Sequence, residues 1–365
     1  MSSAATDLAG VIALMRCALG APPAAQDLLA LTAADPAGIV GIASAHAVMP
    51  LLAAACDDPT VREHIPADLT LFLQSMRERN ATRNAALEDQ LIELGGAFAA
   101  AGFHGVVLKG GAELLTPLYP QGGRFVLDLD ILVALDRLDE AARICQALGY
   151  AFMAEEAQYT HEHHLPALLH PQRPAPVELH RRISSGRGDA VLPANFIIQR
   201  ACPSGVAGLH VPSLADRMLH VIVHAQAEVP PGRFNPLRLR DFSDMALMSR
   251  KLDAADRTFV RTRCEAHGLG VECAGMLAVL REMFCKGPSH QPESAQAHLW
   301  SANALALLVA PRLQRRQHVL YWSKHYAVGL MRDPLARRRF WRRLFSPSYL
   351  VKFARMHANS YLNIR

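Results

Sequence analysis

Leu- and Ala-rich stretches with helical spacing fill residues 7 to about 100, cut by "APPAAQD", "ADPAG", "CDDPT" and "HIPAD". Each of these places Pro, Asp or Gly where helices stop and start. The pattern is clearest in "ADLTLFLQSMRERNATRNAALEDQLIELGGAFAAAG". There Leu71, Leu87, Leu91, Ile92 and Leu94 recur at helical spacing with charges between them, which predicts a helix with an apolar stripe.

The period changes at Val106. "GVVLKG" predicts a short apolar strand closed by two glycines, "AELLTPLY" a short helix, "PQGG" a turn and "RFVLDLDILV" a second strand. Alternation along this strand puts Val126, Asp128, Asp130 and Leu132 on one face and Phe125, Leu127, Leu129, Ile131 and Val133 on the other. The second face is wholly apolar and is expected to pack into a core. "DRLDEAARICQALGY" predicts an amphipathic helix after Asp136, "AFMAEE" a strand and, past a His- and Pro-rich loop, "PVELHRR" another. Strands alternating with helices over 104–183 imply a small α/β unit. From Ser213 the pattern is helical again, in "LADRMLHVIVHAQAE", "RDFSDMALMSRKL" and "AHLWSANALALLVAP". No internal repeat or low-complexity region occurs. The expected division is a helical region 1–103, an α/β core 104–212, a helical domain 213–311 and a basic aromatic helical segment 312–365.

Composition adds bounds. At 51% hydrophobic residues the 365-residue chain can build real cores. Seven scattered cysteines without a CxxC pair suggest reduced thiols in a cytoplasmic protein. "MSSAATDLAGVIALMRCALG" reads as a helix, not a signal peptide, and no run reaches membrane-spanning length, so a soluble protein is expected. The net charge of +5 is uneven: residues 312–365 carry 13 Lys/Arg against Asp333 alone, or +12, leaving −7 for the rest.

The chemistry-bearing residues concentrate in the α/β unit. Asp128 and Asp130 lie roughly 7 Å apart on one strand face, where mutual repulsion calls for a cation. A divalent metal answers that need, and the alternative is a counter-ion such as Arg124. Glu178 shares a face with His180 while Val177 and Leu179 turn to the core, so a third carboxylate completes an oxygen-rich site suited to Mg²⁺. Lys109, Gly110 and Gly111 end a strand and open a helix, where amide groups and glycines can seat a phosphate.

Together "LKGGAELLTPLYPQGGRFVLDLDILV", "ALGY", "HHLPALL" and "VELH" resemble the uncharacterised bacterial nucleotidyltransferases of the polymerase-β-like superfamily. The resemblance extends over most of the chain. It implies an α+β fold, with a small mixed β-sheet core flanked by helical N- and C-terminal regions. It further implies that Asp128 and Asp130 hold two Mg²⁺ (or Mn²⁺) ions on an NTP, and that Glu178 binds the catalytic metal and helps deprotonate an acceptor hydroxyl. Gly110 and Gly111 would cradle the β- and γ-phosphates. Lys109 and Arg124 are charge partners for the phosphates, or structural partners of carboxylates. The acceptor is open among peptide, protein, small metabolite and RNA, with peptide, protein or small molecule ahead of nucleic acid. Antitoxin-like and biosynthetic tailoring roles both fit.

Other features are weighed against plainer roles. His161, His163, His164 and His170 crowd "HEHHLPALLH", and His220 and His224 are one helical turn apart. Without an HExxH glutamate or a cysteine partner, packing and hydrogen bonding are the expected roles. His164 and His180 keep a substrate-facing alternative. Arg238, Arg240, Asp241 and Asp244 read as ion pairs at a helix start, with Arg240 a candidate nucleotide contact. The basic aromatic segment would suit nucleic acid or a membrane surface, but a helical layer with inward aromatics is preferred. Rival readings are a DxD glycosyltransferase, which normally needs a preceding nucleotide-binding domain, and a haloacid-dehalogenase-like phosphatase, which needs a different residue after the aspartates. A silent nucleotide-binding module is the non-enzymatic rival.

Overall fold

The computed structural model describes residues 3–153, 163–184, 186–227, 237–284 and 294–308. Among them are seven strands: β1 (Gly105–Val107), β2 (Leu129–Leu132), β3 (Ala151–Phe152), β4 (Leu168–Leu169), β5 (Val177–His180), β6 (Cys202–Pro203) and β7 (Leu209–Val211). They form one mixed sheet in the order β3-β4-β5-β2-β1-β7-β6. At its centre β2 runs parallel to β5 and antiparallel to β1. The rest of the described chain is mainly helical, so the fold is mixed α+β.

Alternating side chains give the central strands two buried faces, because helices cover both. On one face Val107, Leu129, Ile131, Val177 and Leu179 pack with Leu87, Leu91, Leu94 and Phe98 of the long helix Ala67–Ala100. Ala141 and Cys145 of the helix Leu138–Ala147 join them. On the other face Val106, Leu108 and Leu132 enter a core shared by early helices (Leu14, Leu52) and late ones (Leu219, Phe242, Met276). The helices before and after the sheet therefore bury their apolar stripes against the same core. Ser213 opens the helix Leu214–Gln226 by accepting the Asp216 N–H, a normal N-cap.

Several expectations need correction. "RFVLDLDILV" is a strand only over Leu129–Leu132, and Leu127, expected in the core, is 53% exposed. The long helix forms as one piece, but Leu71 and Ile92 point outward while Asn80, Asn84 and Gln90 are buried. The two differences share a cause. Among the described residues no strand neighbours 122–127, and their carbonyls find donors elsewhere. Asn80 Nδ2 donates to the carbonyls of Gly122 (2.7 Å) and Arg124 (2.9 Å), and Asn84 Nδ2 to that of Arg124 (3.0 Å). Arg83 donates to the carbonyls of Val126 and Leu127, and Gln90 to that of Ala175 (2.8 Å). Buried polar side chains on this helix thus replace a missing ladder.

"AFMAEE" contributes Ala151–Phe152 as strand, and "PVELHRR" contributes Val177–His180. β4, β6 and β7 were not expected, since two or three residues cannot display alternation. The segment 312–365, with its arginines and aromatics, lies outside the described residues, as does His161. No single helix among the described residues is long and apolar enough to cross a membrane, and no disulfide joins their cysteines.

Candidate catalytic site

The register of two parallel strands builds the site. Asp130 of β2 lies directly opposite Glu178 of β5, and Leu132 opposite His180. Because alternate residues share a face, Asp130, Glu178 and His180 project together while Leu129, Ile131, Val177 and Leu179 are fully buried on the reverse. From β1 the chain turns at Leu108 into the short helix Lys109–Leu115. Lys109 at this elbow has φ 47°, in the left-handed region that side-chain-bearing residues avoid. Such strain persists where the surroundings enforce it. Here Lys109 Nζ lies 2.7 Å from Asp130 Oδ1.

Asp130 is 1% exposed and carries a second partner, His180 Nε2, at 2.8 Å from the same oxygen. His180 Nε2 is also 3.6 Å from Glu178 Oε2, and His164 Nε2 lies 3.9 Å from that oxygen. An antiparallel bridge from His164 to His180 brings the histidine loop onto β5. The rings of His163 and His164 stand 5.4 and 5.1 Å from that of His180. Of the loop histidines, His163 and His164 reach the carboxylates' surroundings. His170 instead accepts from the Gln172 N–H at 3.0 Å.

Burial and charge set the protonation pattern. Burial opposes ionisation of Asp130, but Lys109 and His180 overcome it and hold the carboxyl well below the usual range. Burial disfavours the His180 cation, yet hydrogen bonds to Asp130 and Glu178 raise its pKa. Lys109 is likewise raised, burial being outweighed by Asp130. Glu178 is lowered, chiefly by its hydrogen bond with His180. Asp128 goes the other way: burial first, then the neighbouring Asp130 charge, raise it. His163 is pushed down to about 4 by burial and by His180.

Asp130, Glu178 and His180 each offer a ligand atom within 4.8 Å of the others. Two carboxylates and an imidazole suit a divalent ion. Asp128 stands outside this tight group, at the approach to β2, although its charge is felt by Lys109. Without an ion, the cation that answers Asp130 is Lys109 and not Arg124.

Arg124 is engaged elsewhere. Its Nε and Nη2 both donate to Asp244 at 2.9 Å, and Nη1 donates to the Phe125 carbonyl at 2.6 Å. Both side chains of the pair are buried, and Tyr119 adds a hydroxyl donor to Asp244. Of the two readings of Arg124, this is the geometry of the structural partner. Gly110 and Gly111 are buried. A Cβ on Gly111 would stand 2.6 Å from Val107 Cγ1, and one on Gly110 3.1 Å from Val126 Cγ2. Close packing of the helix on β1 and on the segment before β2 therefore accounts for both.

Beside Lys109 a pocket opens between the helices Lys109–Leu115, Leu214–Gln226 and Leu239–Ser249. Glu113, His220, Val221, Arg240 and Met248 are in its wall. Arg217 donates to Glu113 and, at 2.7 Å, to Thr116 Oγ1. Arg240 is 3.7 Å from Asp241. Burial, then the Lys109 charge, keep His220 far below its ordinary value and so neutral. Asp244, expected in an ion pair, is in one with Arg124. Sequence reasoning passed over Glu113, whose only signal was a carboxylate in a short helix.

A family model described as "Uncharacterised nucleotidyltransferase" matches residues 32–285, which is more than half of the chain and contains every residue of this site. No curated protein matches the chain.

Proposed function

The chain belongs to this family of nucleotidyltransferases, so its reaction class is nucleotidyl transfer, and we propose that Lys109, Asp128, Asp130, Glu178 and His180 form its transfer site. The observation that carries the reading is the side-by-side placement of Asp130 and Glu178 on parallel strands, with Lys109 bonded to Asp130 from the elbow. This order of strand, Lys-Gly-Gly turn, helix, aspartate strand and later glutamate strand supports a polymerase-β-like core.

Asp130 and Glu178, with Asp128 and His180 beside them, would hold Mg²⁺ or Mn²⁺. A bound ion supplies neutralisation of the triphosphate and of the leaving pyrophosphate. The chain's own groups do the rest. The Lys109 ammonium, 27% exposed, is a point charge able to pass from Asp130 to a phosphate oxygen. Amide groups of Lys109, Gly110 and Gly111, in the first helical turn, have no intrahelical acceptor and face the β- and γ-phosphates in this reading. Glu178 Oε2 takes the proton of the acceptor hydroxyl, and its neighbours His164 and His180 stabilise the carboxylate before that transfer. Arg124 holds the approach to the aspartates in place through Asp244. The acceptor is a peptide, protein or small molecule ahead of nucleic acid, in a cytoplasmic setting.

Incubation with each of the four NTPs and Mg²⁺ or Mn²⁺, with cell extract as a source of acceptor, tests this by pyrophosphate release and label transfer. Asp130→Asn and Glu178→Gln are expected to lose both signals, by at least about 100-fold. Signals that survive in Asp130→Asn refute the site.

A further inference from the structure

We propose that the pocket beside Lys109 is a subsite for a polyhydroxylated sugar ring, carried either by the nucleotide as its ribose or by the acceptor. The proposal rests on the transfer-site reading above, whose wall it shares through Lys109.

Three buried polar atoms on residues that line this pocket have no hydrogen-bond partner among the described residues: Glu113 Oε2, His220 Nε2 and Arg240 Nε. Glu113 and His220 are 6% and 5% exposed. A buried polar atom is costly to leave unsatisfied, so three on residues around one space mark something that hydrogen-bonds there. The three come from three different helices.

The charges say what that something is. Each cation in the wall already faces an acid: Lys109 Asp130, Arg124 Asp244, Arg217 Glu113 and Arg240 Asp241. With the Lys109 ammonium given to the triphosphate at the transfer site, the three arginines among the described wall residues are each matched by an acid, and no unpaired cation among them remains for a phosphate inside the pocket. The ligand is therefore neutral and both donates, to the Glu113 carboxylate, and accepts, from the Arg240 Nε–H. Hydroxyls do both, and on a sugar ring they radiate toward several walls. A nucleobase offers polar atoms only around one planar edge and is best held by aromatic faces, whereas no Phe, Tyr or Trp is among the described residues of this wall.

The full-length protein with Mn²⁺ provides the test, by titration calorimetry. The probes are the four NTPs, their 2′-deoxy and 3′-deoxy forms, inorganic tripolyphosphate, ribose, glucose and N-acetylglucosamine. If the ring is the nucleotide's ribose, loss of a hydroxyl weakens binding by about tenfold or more, and Arg240→Met erases the difference. If it belongs to the acceptor, deoxy forms bind like the parents, a monosaccharide binds saturably, and Arg240→Met weakens it by about tenfold. Arg240→Lys keeps a charge for Asp241 but removes the Nε–H, and repeats either result without the risk of misfolding. Indifference to hydroxyls together with no saturable monosaccharide binding overturns the proposal, water then filling the pocket. Ranking by base alone overturns it in favour of a base site. A protein that ignores tripolyphosphate but binds a monosaccharide through Arg240 keeps the subsite and sinks the transfer-site reading.

Discussion

Replacing Arg124 by Met separates the two roles open to this residue. The guanidinium makes two 2.9 Å bonds to Asp244 and one to the Phe125 carbonyl, with the two side chains 7% and 9% exposed. Met fills most of the same volume, so the dominant loss is the charge. Removing one partner of such a pair leaves the other buried and uncompensated, at a cost of about 3–5 kcal/mol. At about 2.1 cal/mol/K of unfolding entropy per residue, the 365-residue chain shifts by about 1.3 °C per kcal/mol, so the melting temperature falls by about 4–7 °C. Adding Asp244→Leu removes the stranded charge. Tyr119 keeps Ser243 Oγ as a partner at 2.8 Å, and more than half of the lost stability returns. Urea unfolding of wild type, both single variants and the double variant gives the coupling energy. Tripolyphosphate titration of the double variant with Mn²⁺ then asks the functional question, with wild-type affinity expected. A single-variant loss below about 1 kcal/mol would refute the buried-pair argument. A tenfold weaker tripolyphosphate affinity in the stable double variant would show that Arg124 faces the phosphates after all.

Two further expectations follow from packing and titration. Gly111→Ala drives a Cβ to 2.6 Å from Val107 Cγ1, costing about 1–3 kcal/mol by overpacking. Val107→Ala in the same chain restores melting behaviour and tripolyphosphate binding if space is the reason for the glycine, and a double variant that still fails to bind contradicts this. For pH, burial holds His46 and His163 down at about 4. Between pH 6.5 and 4 the unfolded chain therefore binds protons that the folded chain refuses, and stability falls on acidification through that window. His180, raised, contributes in the opposite sense: its share is full below pH 6.5 and fades as pH climbs through its folded value. The two lowered histidines, joined by His220, outweigh it. Melting temperature should drop steadily from pH 6.5 to 4.5, and a flat or rising profile there is inconsistent with neutral buried histidines.

What could be read in advance depended on range. Asp130 and Glu178 were legible because each sits in an alternating apolar run that fixes its face, and Lys109 because glycines mark a strand-to-helix elbow. Asp128 was read as sharing the strand, but a strand needs a neighbour, and residues 124–128 have none among the described residues. That absence lies in the sheet and not in the local pattern. Asn80, Asn84 and Gln90 looked like the wet face of a helix, since amides in a helix give no sign of what they will meet 40 or more residues later. The Arg124–Asp244 pair spans 120 positions and could not be told from other Arg–Asp combinations. β7 escaped for a simpler reason, three residues being too few to show a period.

The amides along Ala67–Ala100 bear on how the molecule comes into being. The run leading to Asp128 has no shape of its own. It is a casting, and its mould is a helix that leaves the ribosome some forty residues earlier. In the folded chain, the position of the aspartates therefore depends on the helix being in place. A fragment cut at residue 104 would lose that template and expose the carbonyls of residues 122–127. Grafting the aspartate strand into another scaffold would succeed only if the helix travelled with it.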